Sequence, residues 1–267
     1  MAAFLQQFGG SGFSASSITV TVPAGGIAAG HSLVISVVAL TNVAPTVSSV
    51  AASDTSGNSY IFLADTLQGV TLQTTNVSML YCNVTSALQA GDMITLTPDR
   101  SISRMAASVY EFDVVLTPDT HAVAESGDNT ITSLVIGPSP TTAANDEIVV
   151  GAFALVNAGR TFTVGAGYAD GTKVVTTAGS GERAIVAEYK FVSTTGPQTA
   201  DGTLNSNGYF AGALQTFTYA DAAARSGKAK VWDGTAWTSH SAKVWDGTAW
   251  VAHDMKGWNG TAWIKGK

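Results

Sequence analysis

Two glutamates in similar segments are the residues of this sequence whose type and placement come nearest to a catalytic pair. Glu111 lies in "RMAASVYEFDV" and Glu188 lies at the equivalent place in "ERAIVAEYKFV". Paired carboxylates could carry out glycoside hydrolysis, one as the acid and the other as the base or nucleophile. In an alternating strand, however, a glutamate usually points to solvent or bonds a neighbouring strand. We therefore expect both glutamates to be structural.

The other reactive side chains have no recognisable partners. His31 and Ser32 in "GHS" lack the third residue of a triad, and the single cysteine, Cys82, fits a buried small hydrophobe in "SMLYCNV". The segment "SDTSGNS" (Ser53 to Ser59) resembles part of a calcium loop but lacks the later glutamate, so it predicts a turn. No phosphate loop, G-x-S-x-G or H-E-x-x-H motif is present. We expect no enzyme activity, no cofactor and no metal site.

The most distinctive side chains are aromatic and lie in residues 229–267. The phrase Lys-Val-Trp-Asp-Gly-Thr-Ala-Trp, or a close variant, occurs there three times at thirteen-residue intervals. All six tryptophans of the chain belong to this repeat. We predict them to be the partner-binding residues: Trp232, Trp237, Trp245, Trp250, Trp258 and Trp263.

Each repeat predicts a β-hairpin, because Asp-Gly or Asn-Gly between apolar residues favours a two-residue type I′ turn. A two-residue loop would place Thr235 opposite Trp232, so that Trp232 and Trp237 become diagonal neighbours on one face. The opposite face would have little to bury. The predicted turn-forming residues are Asp233, Gly234, Asp246, Gly247, Asn259 and Gly260.

Such hairpins must bury their tryptophans against something else. A lone two-stranded hairpin is marginal in water, and a segment this short cannot enclose a core. Six exposed tryptophans would be an aggregation hazard. They could stack with other copies of the chain, most simply as a trimer around a threefold axis, dock on another protein, or face sugar rings. Repetition favours the first two, so we predict an assembly or attachment device.

The rest of the chain reads as strands. "SITVTVPAG" alternates with period 2, "SLVISVVAL" is continuously apolar, and further phrases follow at roughly ten-residue spacing, which predicts a β-sandwich. "NDEIVVGAFAL" parallels "GHSLVISVVAL", so the second half echoes the first. Two small sandwiches or one large jelly roll would fit, and we prefer one because the connector "DTHAVAESGDNT" is short.

We therefore predict an all-β chain with four parts. They are an N-terminal arm at residues 1–13, a jelly-roll-like antiparallel β-sandwich at 14–219, a linker at 220–228, and three short β-hairpin repeats at 229–267.

Composition and charge narrow the class of protein. Charged residues make up 12% of the chain, against about 25% in typical soluble domains. Residues 1–225 carry a net charge of −9 and residues 226–267 carry +3, so an acidic body argues against nucleic-acid binding. "MAAFLQQFGG" has no signal-peptide pattern, and no apolar stretch has membrane-spanning length. We expect cytoplasmic synthesis and no membrane association.

Several phrases, in order, resemble a jelly-roll-like domain found in minor tail proteins of bacteriophages that infect actinobacteria and in bacterial surface proteins. They include "TVTVPAGGIAAGHSLVISVV", "AASVYEFDVV", "TTAANDEIVVGAF" and "AEYKFVSTTGPQTADGTLNSNGYFAGALQTF". The tandem "KVWDGTAW" ending resembles the C-termini of virion proteins of the same phages. The resemblance covers residues 14–218 and 229–263, and it brings no catalytic residues with it.

Three functions stay open at this point. The first is a virion structural protein, either a minor tail (tail-tip or fibre) subunit or a capsid decoration or head-fibre protein, made in the host cytoplasm and working with other virion proteins. The second is a surface adhesin or carbohydrate-binding module for a host cell-surface glycan, which the missing signal peptide disfavours. The third is a polysaccharide-degrading enzyme, which the lack of a clustered acid pair disfavours.

Overall fold

The structure is a computed structural model of the chain, and it divides into two compact units, Ala2–Tyr219 and Ala220–Lys267. It describes residues 2–13, 15–41, 47–70, 73–126, 129–176, 181–220, 228–232, 237–241, 243–245, 248–252, 256–258 and 263–265. Every regular element in these ranges is a β-strand, which confirms the all-β prediction. None of the described residues forms a helix with the length and hydrophobicity needed to cross a membrane.

The first half of the larger unit contains eight strands in two antiparallel sheets. Sheet I has the order β1-β8-β3-β6-β5 and sheet II has the order β2-β7-β4. The strands are β1 (Phe4–Phe13), β2 (Ile18–Thr21), β3 (Ser32–Thr41), β4 (Val50–Asp54), β5 (Ile61–Val70), β6 (Gln73–Asn83), β7 (Met93–Pro98) and β8 (Arg104–Phe112).

The second half repeats this arrangement. Sheet III has the order β13-β15-β11-β17-β9, with β14 also paired to β15, and sheet IV has the order β10-β16-β12. The strands are β9 (Val115–Glu125), β10 (Ser133–Ile136), β11 (Glu147–Val156), β12 (Phe162–Val164), β13 (Ala169–Asp170), β14 (Val174–Val175), β15 (Arg183–Val192), β16 (Ala200–Leu204) and β17 (Phe210–Ala220).

Each half has the strand order of a jelly roll. Counted from its own start, each half forms one sheet from its first, eighth, third and sixth strands and another from its second, seventh and fourth. The fifth strand, represented by β13 and β14 in the second half, lies beside the sixth. We had preferred a single jelly roll over residues 14–219, but the structure has two successive jelly rolls within one compact unit.

The topology corrects one of the two sequence parallels. β11 is the third strand of its jelly roll, as β3 is, so the similarity of their sequences matches their positions. β15, however, is equivalent to β6 and not to β8. Glu188 in β15 and Glu111 in β8 therefore occupy different places in the two jelly rolls.

The N-terminal residues belong to the sandwich and are not an arm outside it. Residues 4–13 form β1, an edge strand of sheet I that pairs along its length with β8. This strand contains the glycine-rich segment "GGSG". Gly9 and Gly10 are needed because an added Cβ would lie 2.5 Å from Ala107 O and 2.6 Å from Thr19 O, respectively.

Three apolar layers hold four sheets together in the order II, I, III and IV. The outer layers lie between sheets II and I and between sheets III and IV. The central layer lies between sheets I and III and is rich in alanine, which lets Cα atoms of β15 approach those of β8 and β3 within 8 Å, compared with a typical sheet separation of about 10 Å. β3, β8 and most of β11 are therefore buried on both faces, which explains their continuous apolar sequences.

The smaller unit contains three two-stranded antiparallel sheets, one for each tryptophan repeat. They confirm the predicted hairpin repeats as strand pairs. The strands are β18 (Lys228–Trp232), β19 (Trp237–Ser241), β20 (Lys243–Trp245), β21 (Trp250–Ala252), β22 (Lys256–Trp258) and β23 (Trp263–Lys265).

Candidate functional site

The register of the hairpins places the two tryptophans of each repeat directly opposite each other. The pairs are Trp232 with Trp237, Trp245 with Trp250, and Trp258 with Trp263. Each pair closes a four-residue connection, so the predicted two-residue loop, which would have paired Trp232 with Thr235, is wrong. The predicted turn residues lie outside the described residues: Asp233, Gly234, Asp246, Gly247, Asn259 and Gly260.

The corrected register also shows which residue pairs share a face of each two-stranded hairpin. Directly paired positions of an antiparallel ladder share a face, with Cβ atoms about 4.5–5.5 Å apart. Both tryptophan positions of a repeat therefore lie on one face. The next pair along each ladder lies on the opposite face: Val231 with Thr238, Val244 with Val251, and Gly257 with Ile264.

Glu111 is buried and fully engaged by its neighbours. Its side chain is 3% exposed, and Oε1 lies 2.6 Å from His31 Nδ1. Gln6 Nε2 on β1 donates to Glu111 Oε2 at 2.5 Å and also contacts Gly26 O. His31 thus has an acidic partner that the sequence did not predict. These hydrogen bonds join β1, β8 and the loop before β3, which is a structural role.

Ser32, which follows His31 in the chain, does not complete this His–Glu pair as a nucleophile. Ser32 Oγ lies 2.6 Å from Val114 O and 2.5 Å from Asn83 Oδ1, and Leu116 N donates to it at 3.1 Å. The hydroxyl is thus committed to the start of the second jelly roll. Ser32 is also fully buried, which closes it to a substrate.

Glu188 is completely buried on the face of sheet III that is turned toward sheet IV. Its oxygens accept backbone hydrogen bonds from Gly165 N at 3.3 Å and Asp201 N at 3.1 Å. Burial raises the pKa of Glu188 to about 8; the backbone donors and Lys190 lower it, while Asp201 raises it further. The group is a structural acid that bridges β15 to the segments around β12 and β16.

The two glutamates cannot act as a catalytic pair. Glu111 lies on the face of sheet I that covers the layer shared with sheet II, since Met105, Ala107 and Val109 on the same strand belong to that layer. Glu188 lies on the face of sheet III toward sheet IV, as Ala184 and Val186 do. Two sheets and the central layer separate them. Both are buried, so neither points to solvent.

Cys82 and the segment 53–59 are structural as well. Burial raises the pKa of the Cys82 thiol to about 12, which leaves it protonated and inert. Asp54 accepts hydrogen bonds from Ser56 N at 2.8 Å and Tyr60 OH at 2.8 Å, and Asn58 Oδ1 accepts from the backbone of residues 85 and 86. The segment is therefore a turn that is hydrogen-bonded to the backbone of residues 85 and 86.

No group of three or more His, Cys, Asp or Glu side chains positioned to hold a metal ion occurs in the part of the chain that the structure describes. The sequence did not single out one polar cluster that the fold does assemble, formed by Asp119, Glu147 and Thr216. Its members lie on three strands that are far apart in the chain, and no local pattern marks them.

Comparisons of this chain with protein-family models, with curated proteins and with solved structures find no match. The candidate site therefore rests on the chain's own geometry: a folded body in which Glu111, Glu188 and Ser32 are buried and hydrogen-bonded, and three hairpins that pair tryptophan positions.

Proposed function

We propose that this chain is a non-enzymatic structural protein of a bacteriophage virion, a minor tail subunit of the tail tip or a fibre. Its tryptophan repeats join copies of the chain, or attach it to other virion proteins. The observation that carries this proposal is the thrice-repeated pairing of two tryptophan positions across a short hairpin.

Two-stranded hairpins of three to five residues per strand are marginal in water by themselves. Burying one aromatic side chain contributes about 1.5–3 kcal/mol. A surface that gathers such residues in pairs, three times over, is suited to association, because each repeat can add the same contact to a neighbouring copy or partner. The resemblance of residues 14–218 and 229–263 to virion proteins supports the same reading.

The double jelly roll is suited to a structural role. Four stacked sheets with three continuous apolar layers make one thick body. Its buried polar residues join strands and loops to each other, as Glu111, Glu188 and Asn58 do. Such a body transmits force or holds spacing, and it leaves recognition to the repeats.

Labelled particles test the proposal. An antibody raised against residues 2–219 should label purified virions of the phage that encodes the chain, at the tail tip or along a fibre, in electron micrographs. Label on the capsid would show a decoration or head-fibre protein instead. Purified particles that lack the protein, while infected cells contain it, would refute a virion role.

A matched deletion separates the repeats from the body. Removal of residues 229–267 should leave the body soluble in infected cells but abolish its incorporation into particles. If the shortened protein is incorporated at the normal level, the repeats are not the assembly device, and binding of the intact chain to host-envelope glycan becomes the test of the alternative function.

A further inference from the structure

Two carboxyl groups meet at one corner of the second jelly roll, where the loop 137–146 crosses from sheet IV to sheet III. Asp119 belongs to β9 and Glu147 is the first residue of β11. Successive backbone N–H groups of the loop hold them: Ala143 N donates to Asp119 Oδ2 at 2.7 Å, and Ala144 N donates to Glu147 Oε1 at 3.0 Å.

One oxygen of this pair is buried with nothing to bond. Glu147 is 0% exposed, and its Oε2 has no hydrogen-bond partner. Among the described residues, no Lys, Arg or His side chain forms an ion pair with Asp119 or Glu147. A buried acidic oxygen beside a second carboxyl is costly unless a positive charge or a proton lies between them.

The surrounding groups are oxygens. Burial is the main cause that raises the pKa of Glu147; the facing Asp119 carboxyl raises it further, while Ala144 N–H and the Thr216 hydroxyl lower it. Thr216 Oγ1 lies 3.2 Å from Thr120 Oγ1, which in turn is 3.5 Å from Pro140 O. A set of carboxylate, hydroxyl and carbonyl oxygens suits hard cations such as Ca²⁺, whereas zinc and copper sites usually include His or Cys ligands.

The equivalent corner of the first jelly roll contains a different set of side chains. There the first strand contributes Gln6, the eighth strand contributes Glu111, and His31 precedes the third strand. A single carboxyl is thus matched by an imidazole and an amide. The second corner has two carboxyls and hydroxyls in place of these groups, so only the second corner brings two carboxyls together without a basic side chain among the described residues.

We propose that Asp119, Glu147 and Thr216 bind a divalent cation of the calcium class. The cation would bridge three adjacent strands of sheet III, β9, β17 and β11, and would fix the loop 137–146 through the two carboxyls. Neutral oxygens and water complete the coordination, because calcium takes six to eight oxygen ligands. The proposal does not depend on the function proposed above, and a body stabilised by an extracellular ion is compatible with any of the three candidate functions.

Calorimetric titration of the full chain tests this site. After removal of ions with EDTA, the wild type should bind one equivalent of Ca²⁺ per chain, and should bind Mg²⁺ more weakly because Mg²⁺ demands stricter octahedral geometry. At a calcium concentration of 100 times Kd, the midpoint of thermal unfolding should rise by about 5–10 °C. Glu147→Gln should abolish binding, and Asp119→Asn should weaken it at least tenfold.

Glu125→Gln is the matched control, because Glu125 is an exposed carboxyl of the same strand as Asp119, and this variant should bind calcium as the wild type does. Circular dichroism should show that the Glu147→Gln and Asp119→Asn variants are folded. A wild type that binds no calcium at 10 mM overturns the proposal and leaves a shared proton as the bond between the carboxyls. Binding that survives in both site variants also overturns it, since the ion would then lie elsewhere.

Discussion

Glu188 shows how burial changes the role of a residue that the sequence marks as reactive. In a strand buried on one face, a glutamate points to solvent or bonds a neighbouring strand, and we expected one of these two arrangements. The first six residues of β15 are buried without alternation, because the strand has the central layer on one side and sheet IV on the other. Glu188 therefore has no solvent face to occupy, and backbone N–H groups take the place of water.

The raised pKa of Glu188, about 8, predicts how stability depends on pH. Because the folded-state pKa lies above the ordinary value of 4.5, the folded chain holds more protons than the unfolded chain between these pH values. The free energy of unfolding should therefore fall as pH rises from about 5 to 8. The groups facing Glu188 are Asp201, Lys190 and its cross-strand partner Asp170.

Glu188→Gln should remove most of this decline, on the order of 2–4 kcal/mol between pH 5 and 9. At pH 5 the variant should be the less stable protein, because a glutamine amide cannot accept both backbone hydrogen bonds. Urea unfolding at several pH values measures the slope, with Glu125→Gln as an exposed control. Equal slopes in wild type and variant would contradict the buried-acid account.

Tyr110 and Gly171 form a close contact between the two jelly rolls. The Tyr110 hydroxyl donates to Ala187 O at 2.5 Å, and a Cβ added at Gly171 would lie 1.7 Å from that hydroxyl oxygen. Gly171→Ala should therefore destabilise the chain by about 2–3 kcal/mol. Gly25→Ala, where an added Cβ meets nothing within 4 Å, is the control and should change stability by less than about 0.5 kcal/mol.

A double-mutant cycle identifies the cause. Tyr110→Phe removes the hydroxyl that the new methyl group would strike, so the Tyr110→Phe/Gly171→Ala variant should lose less stability than the two single changes together, by about 1 kcal/mol. Strict additivity in chemical unfolding would show that the contact does not limit residue 171.

The strands themselves could be predicted from the sequence, but which strands hold the same place in the two jelly rolls could not. Alternation in residues 18–21 and the apolar run of residues 32–40 correspond to β2 and β3. β6, β8 and β15 all cover the central layer, and the alanines of β8 and β15 make those two strands similar in sequence. Their sequences therefore look alike whichever place they hold in the topology, and β15 was matched with β8 when it corresponds to β6.

The prediction of the hairpin register was wrong for a different reason. Asp-Gly and Asn-Gly favour two-residue loops, but four-residue loops built on other turns are also common. In this chain, the two tryptophans of a repeat become direct partners only with the longer connection. Aromatic cross-strand pairs contribute about 0.2–1 kcal/mol, enough to decide between loop lengths of similar energy.

The central layer makes the two jelly rolls one cooperative unit. Met79 of the first jelly roll is fully buried in the same apolar layer as Ile148 and Phe217 of the second. Met79→Ala should cost about 2–5 kcal/mol. We expect native-state hydrogen exchange to lose protection equally in β3 and in β11, because neither jelly roll can open without exposing the shared layer.

The exposed Met93→Ala is the control for this experiment and should leave exchange unchanged. Loss of protection confined to β3, β6 and β8 would mean that the two jelly rolls unfold independently. The same unit should fold without the repeats, so a chain ending at residue 220 should unfold in one cooperative transition.

The whole molecule combines a body of two jelly rolls with repeats that pair tryptophan positions. The amino-acid composition, the period-2 alternation of apolar residues and the similarity between the two halves of the chain were enough to predict an all-β body. They also predicted a separate C-terminal array of hairpin repeats. The long-range cluster of Asp119, Glu147 and Thr216 was not predictable, because strand order brings these residues together and the sequence separates them by up to 97 positions. The proposed function depends on what the repeats contact.

Sedimentation velocity of the intact chain and of Trp245→Ala/Trp250→Ala tests that question most directly. Val244→Thr/Val251→Thr is the matched control, because these residues form the next pair of the same ladder, lie on its opposite face and stay β-branched. We predict that the intact chain and the valine variant form the same oligomer, with a trimer favoured. The tryptophan variant should dissociate while its body unfolds at the unchanged midpoint. A tryptophan variant that sediments as the intact chain does would contradict the account.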